Sequence, residues 1–110
     1  IQLSGEDGTA LPYLAAGGHG CISVTANIAP KLLSRMHNAW KQGDIKTAQA
    51  INQKLMPLHD ALFCETSPGP LKYAASLLNI CESDTRLPIV EIASESKKRV
   101  EEGLKFAELM

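Results

Sequence analysis

The sequence predicts the closing edge of a parallel α/β sheet followed by a helical appendage, so that the chain itself is mostly α. Three observations carry this. The first 26 residues read strand, short helix, strand, and a crossover of that kind joins parallel strands. After residue 27 the apolar spacing changes to i, i+3, i+4, the period of a helix with one buried face. Two parallel strands cannot cover both faces of their own sheet, so residues 1–26 read as the end of something larger. The chain also opens at Ile1 inside a strand pattern rather than at Met, which carries the same expectation of a fragment.

The elements follow in order. Ile1 to Ser4 is a short strand, and Gly5-Glu6-Asp7-Gly8 is turn chemistry able to cap a helix. Thr9 to Ala16 suits a short helix with Pro12 near its first turn, where a missing N–H costs least, and Gly17-Gly18 stops it. Cys21 to Thr25 is β-branched and predicts the second strand. Leu32, Leu33, Met36, Ala39 and Trp40 then share one face of a helix over 28–42, with Trp40 expected to be mostly buried. Gly43-Asp44 closes that helix and caps the next. The stripe Ile45, Ala48, Ile51, Leu55, Leu58 and Leu62 defines that next helix, with Pro57 expected to kink it. Ser67-Pro68-Gly69-Pro70 is a break, Leu71 to Leu78 a third helix, and Leu87 to Ile92 an extended segment. Ser94 is expected to cap a last helix with Val100, Leu104 and Ala107 turned inward.

At 110 residues the chain is at most one small domain. Its 45% hydrophobic and 21% charged residues are ordinary for a soluble globular chain, and a net charge of −1 gives no support for nucleic acid or an anionic membrane surface as partner. No apolar run approaches the ~20 residues of a membrane span. Three widely spaced cysteines, Cys21, Cys64 and Cys81, point to a reduced, cytoplasmic setting.

Few residues offer site chemistry. His19, His37 and His59 lack metal-ligand spacing and read as polar or partly buried side chains. The cysteines form no C-x-x-C pair and read as structural thiols. Lys97-Lys98-Arg99 is followed by Glu101-Glu102, which makes a solvated helix face. Glu6 and Asp7, adjacent on a turn, read as caps in preference to a catalytic pair. Gly17-Gly18-His19-Gly20 enters a strand, whereas phosphate loops leave one, so it reads as a tight turn. Position is then the remaining guide. Ligands of parallel sheets and barrels collect at the C-terminal ends of strands, here Ser4 to Gly8 and Thr25 to Pro30.

The stretch "LSGEDGTALPYLAAGGHGCISVTANIAPKL", with "AINQKLMPLHDALFCETSPGPLKYAASLL" and "TRLPIVEI" after it, resembles the C-terminal third of the 4-hydroxy-tetrahydrodipicolinate synthase (dihydrodipicolinate synthase) family. The resemblance implies a TIM (β/α)8 barrel. Residues 1–43 would hold the end of that barrel, strands seven and eight with their helices, and residues 44–110 a C-terminal helical domain. It implies a lyase that condenses pyruvate with aspartate semialdehyde through a Schiff-base lysine on strand six, on the way to diaminopimelate and lysine. A tyrosine relay and an entrance arginine would assist.

None of those groups matches a position here, so no catalytic residue is expected within this chain, and the fragment alone is expected to be inactive. What carries over is Ile22, whose main-chain carbonyl would face the pyruvate moiety, and Gly5, which would leave room beside it. No metal and no cofactor are implied, and a homo-oligomer is. Gly69 and Tyr73 depart from the family pattern, where a larger apolar residue and tryptophan are usual. A sister pyruvate-dependent aldolase and a non-catalytic helical interaction module are the rival readings. Without the other six strands, residues 1–26 are expected to be disordered or paired with another copy.

Overall fold

A computed structural model describes all 110 residues. The chain folds as a small polar N-terminal layer against a packed set of helices. Strands β1 (Leu3–Ser4) and β2 (Gly20–Cys21) pair in parallel, with Leu3 opposite Gly20 and Ser4 opposite Cys21. The pairing is extended by His19 N–H to the Gln2 carbonyl at 2.9 Å and Ile22 N–H to the Ser4 carbonyl at 2.8 Å. The two segments pair with each other in parallel, as the strand-helix-strand crossover predicts. Helix α1 (Ala10–Ala15) makes the crossover, carries Pro12 in its first turn, and ends before Gly17, whose φ of +100° suits glycine.

The second strand is shorter than its sequence predicts. Cys21 to Thr25 reads as β-branched, yet Val24 is already helical at φ −70°, ψ −45°, and Thr25–Asn27 is a 3-10 turn. The physical reason is the Asp7 carboxylate. It collects the N–H groups of Val24 and Thr25, which a straight strand would point apart.

The helical part is built around α3 (Ile45–Leu62), which packs on α2 (Pro30–Lys41) and on α5 (Ser94–Phe106). Helix α4 (Gly69–Leu77) closes against α5 and α3. Pro30 starts α2 with its φ already helical. Gly43, at φ +79°, ends it, and Asp44 caps α3 through Thr47 N–H at 3.1 Å, so Gly43-Asp44 performs both expected tasks. Helix α3 runs without interruption through Pro57, which is exposed. Its buried face is Ala48, Ile51, Leu55, Leu58, Ala61 and Leu62, while Ile45 lies outside at 40% exposure. Trp40 is mostly buried, as expected, and packs against the core cluster.

Three further expectations shift. Helix α4 begins at Gly69, two residues before the predicted start, because a proline at 70 fits a helix's first turn. The segment Leu87 to Ile92, expected to be extended, opens on a turn at Leu87-Pro88, with Ile89 N–H reaching the Arg86 carbonyl at 3.1 Å. Ser94 is the first residue of α5 and makes no cap. The Ala93 N–H is instead accepted by Glu65 Oε2 at 2.8 Å, a carboxylate from the chain before α4.

One apolar cluster of 19 buried residues runs from Leu11 to Ala107 and joins the helices to α1. Helices α3 and α5 approach closely at Gly103. A Cβ on Gly103 would stand 3.0 Å from the Leu58 Cα, so the bare glycine lets the two backbones meet. Gly69 has a similar reason. Its missing side chain is replaced by Ile92, whose Cγ2 would lie 3.0 Å from a Cβ there.

Candidate functional site

The exits of β1 and β2 lie side by side, because Ile22 N–H is bonded to the carbonyl of the residue before Gly5. The Ile22 side chain is 72% exposed, and its carbonyl accepts no hydrogen bond from any backbone or side-chain donor of the chain. A Cβ on Gly5 would meet nothing within 4 Å. The two residues singled out from the sequence thus share one open edge, with an unclaimed acceptor beside an unfilled space.

Beneath that edge is a buried carboxylate. Asp7 is 2% exposed and holds the exit of β2 from below. Its Oδ1 accepts from the Ser23 hydroxyl, and its Oδ2 accepts from Val24 N–H at 2.9 Å and Thr25 N–H at 3.2 Å. Ser23 Oγ in turn accepts from Ala26 N–H at 2.9 Å. Glu6 caps the short turn at Asp7–Thr9 by accepting from Gly8 N–H at 3.0 Å. Both carboxylates therefore cap backbone N–H groups, as turn carboxylates generally do.

Behind Asp7 lies His59 of α3, 2% exposed, with its Nδ1 2.7 Å from the Thr25 hydroxyl and no partner for its Nε2. Burial pushes the imidazole below its ordinary range, against the opposite pull of Asp7, Asp60 and Glu6, so the ring is uncharged at neutral pH. Burial and the neighbouring Asp7 also push the Cys21 thiol up, which keeps it protonated and unreactive.

The other sequence candidates stand apart. His19 Nδ1 accepts from Gln2 N–H at 2.9 Å at the opposite end of the strands, where it serves the pairing. His37 is half-buried on α2 and pushed down by burial and by Lys41. No group of three or more His, Cys, Asp or Glu side chains is placed to hold a metal ion. All eight lysines, Lys31, Lys41, Lys46, Lys54, Lys72, Lys97, Lys98 and Lys105, lie on helices, and Tyr13 and Tyr73 do as well. The edge can present and orient a ligand, but within these residues it has no amine or phenol aimed at one.

Asp7 as the organiser and His59 as its support were not found as such in the sequence. For His59 a signal existed: position 59 falls between Leu55, Leu58 and Leu62 on the apolar stripe of α3, where a histidine must find an internal partner.

Residues 1–107 match the pattern of the dihydrodipicolinate synthetase family. The chain belongs to that family. It is 55% identical over 109 residues to the 4-hydroxy-tetrahydrodipicolinate synthase of Gluconacetobacter diazotrophicus, which covers 99% of this chain and 37% of that protein. It is 63% identical over 89 residues to that of Rhodospirillum centenum, covering 81% and 31% respectively. Among solved structures, dihydrodipicolinate synthase from Thermotoga maritima superposes with a TM-score of 0.94 at 35% identity, over 98% of this chain and 37% of that one. The chloride-inhibited enzyme from Acinetobacter baumannii, complexed with pyruvate, superposes with a TM-score of 0.90 at 36% identity, over 98% and 37%. These family structures are TIM barrels, and the chain spans a little over a third of their length. No helix is long and apolar enough to cross a membrane.

Proposed function

We propose that this chain is the part of a Schiff-base lyase that walls the pyruvate site from strands seven and eight, with residues 1–43 closing the barrel and 44–110 forming the helical domain. The whole protein would condense pyruvate with aspartate semialdehyde to give 4-hydroxy-tetrahydrodipicolinate. The observation that carries this reading is the shared edge of Gly5 and Ile22, with its unclaimed carbonyl, in a chain that matches the family over residues 1–107. The pyruvate complex of the Acinetobacter baumannii relative supports the substrate class.

In such a reaction a lysine amine condenses with the ketone carbon of pyruvate and releases water. The imine nitrogen then accepts electrons as a methyl proton leaves, and the resulting enamine carbon attacks the aldehyde. The amine would come from outside these 110 residues. Ile22 would contribute its carbonyl and Gly5 the space beside it. The carbonyl's position depends on the backbone, so the Ile22 side chain is the less important part.

The test is borohydride trapping. The full-length protein incubated with pyruvate and borohydride should gain the mass of one reduced pyruvate adduct, and this chain alone should gain none. A full-length protein that stays unmodified overturns the reading, as does near-stoichiometric labelling of any lysine within residues 1–110. We also place the protein in the cytoplasm, on its free cysteines, and expect the full-length form to self-associate, which sedimentation would measure.

A further inference from the structure

We propose that His59 is a positioning residue for the exit of β2: its imidazole holds the Thr25 hydroxyl, and through Thr25 the turn that presents the Ile22 carbonyl. This rests on the reading of Gly5 and Ile22 as a wall of the pyruvate site.

Thr25 is fully buried and is held from two independent directions. Its N–H goes to Asp7, from the exit of β1, and its hydroxyl goes to His59, from the middle of α3. The Thr25–His59 bond is also the one side-chain hydrogen bond that joins residues 1–43 to residues 44–110; the others stay within one part or the other. The long helix α3 is therefore tied to the strand exit at a single polar point, three residues after Ile22. A turn fixed at one end only, by Asp7, can still pivot; fixed at both ends, it cannot.

The clamp has a defined protonation state. In the neutral tautomer with Nδ1 unprotonated, the Thr25 hydroxyl donates to the Nδ1 lone pair. A charged ring carries N–H on both nitrogens, so Nδ1 turns from acceptor to donor and displaces the hydroxyl proton, which has no second acceptor. Nε2 has no partner that would reward the extra charge. Asp7 and Glu6 from the strand exit and Asp60 from α3 itself are the charged groups facing the ring; all three pull toward protonation, and burial acts against them.

The experiment uses the full-length protein with four variants. His59→Phe keeps ring volume and loses the bond, and Thr25→Val keeps shape and loses the hydroxyl. His59→Asn and Thr25→Ser each keep a group able to make it. His59→Phe and Thr25→Val should each raise the KM for pyruvate about tenfold, the size of one hydrogen bond, with kcat little changed. The double variant should be no worse than either single one, because both remove the same bond. Thr25→Ser and His59→Asn should stay within about threefold of wild type. The wild-type KM should rise as pH falls below the ordinary histidine range, and His59→Asn should flatten that rise.

Amide exchange at Val24 and Thr25, which needs no activity, should quicken in His59→Phe and Thr25→Val. Quickened exchange in a protein whose wild type never traps pyruvate would leave the clamp standing and remove the pyruvate reading. Unchanged exchange, additive effects in the double variant, or a Thr25→Ser as impaired as Thr25→Val would overturn the clamp.

Discussion

The strand exits and the helices of this chain are held together by opposite means. Residues 1–29 have strands of two residues, three large apolar side chains in solvent (Ile1, Leu3 and Ile22), and a shape imposed by one buried carboxylate that receives three donors. Helices α2 to α5 have no buried charge and interlock through Met36, Leu55, Leu58, Leu62, Val100 and Leu104, none of them exposed. Burial of apolar surface is strong but tolerant of small rotations, whereas a carboxylate with three donors fixes direction. The difference teaches where to look for function. The region that uses polar groups to hold a backbone turn is the one whose backbone is proposed to meet the substrate.

The largest effect should come from the helical side. Leu58 is fully buried where α3 meets α5 at Gly103, a contact too close to collapse around a hole. Leu58→Ala should cost about 2–5 kcal/mol in urea unfolding. An effect near zero would mean that α3 and α5 are not the interlocked pair described, and the contrast would fail. Asp7→Ala comes next, at about 1–3 kcal/mol, because it strands the buried N–H groups of Val24 and Thr25. Its signature should be local. Amide exchange should quicken at residues 22–27 while α3 stays protected. Uniform quickening along the whole chain would mean that Asp7 holds the core as well as the turn.

Acid should act on the point where the two regions meet. His59 has its folded pKa lowered from 6.5 by burial. As pH falls below 6.5 the unfolded chain takes a proton that the folded chain refuses, so stability present at neutral pH is lost from 6.5 downward. The lowered carboxylates Glu65, Glu91 and Glu108 contribute only below their ordinary 4.5, so the two windows separate. The decline between them should be smaller in His59→Asn, measured by unfolding at a series of pH values.

The same contrast explains what the sequence made legible. Helical stripes are local: Leu55, Leu58 and Leu62 announce one face within a few turns, and α2, α3 and α5 appear where the spacing puts them. Ile45 departs because a period says which face is inward and not where the neighbour ends. The strand exit depends on partners far apart in the chain, Asp7 with Ser23 across 16 positions and Thr25 with His59 across 34. No local pattern encodes those, so Cys21 to Thr25 reads as a strand that the carboxylate in fact curls. Gly5 and Ile22 are proposed from the family resemblance, since a free carbonyl and an empty space leave no mark on side-chain chemistry.

The smallest effect should come from a polar bond placed inside the apolar region, and it sharpens the contrast most. Tyr73 on α4 donates its hydroxyl to Glu101 Oε1 on α5 at 2.7 Å, with Lys97 Nζ 5.5 Å from the ring centroid. The bond to Glu101, then burial, then the Glu101 charge push the phenol up from 10 to about 12. The unfolded chain therefore loses the phenol proton first as pH rises past 10, and whatever stability the bond gives is lost between 10 and about 12. That stability should be slight. Tyr73 and Glu101 are both half-buried, so water can replace either partner, and the apolar ring stays packed when the hydroxyl is removed. Tyr73→Phe should cost less than about 1 kcal/mol, and Glu101→Gln should bring the tyrosinate absorbance transition back toward 10. Asp7 and Tyr73 both join two elements by hydrogen bonds to a carboxylate. They differ in whether water can reach the groups left behind. If Tyr73→Phe cost as much as Asp7→Ala, solvent access would not be what makes the strand exit depend on its carboxylate, and the number of donors on Asp7 would have to carry the explanation alone.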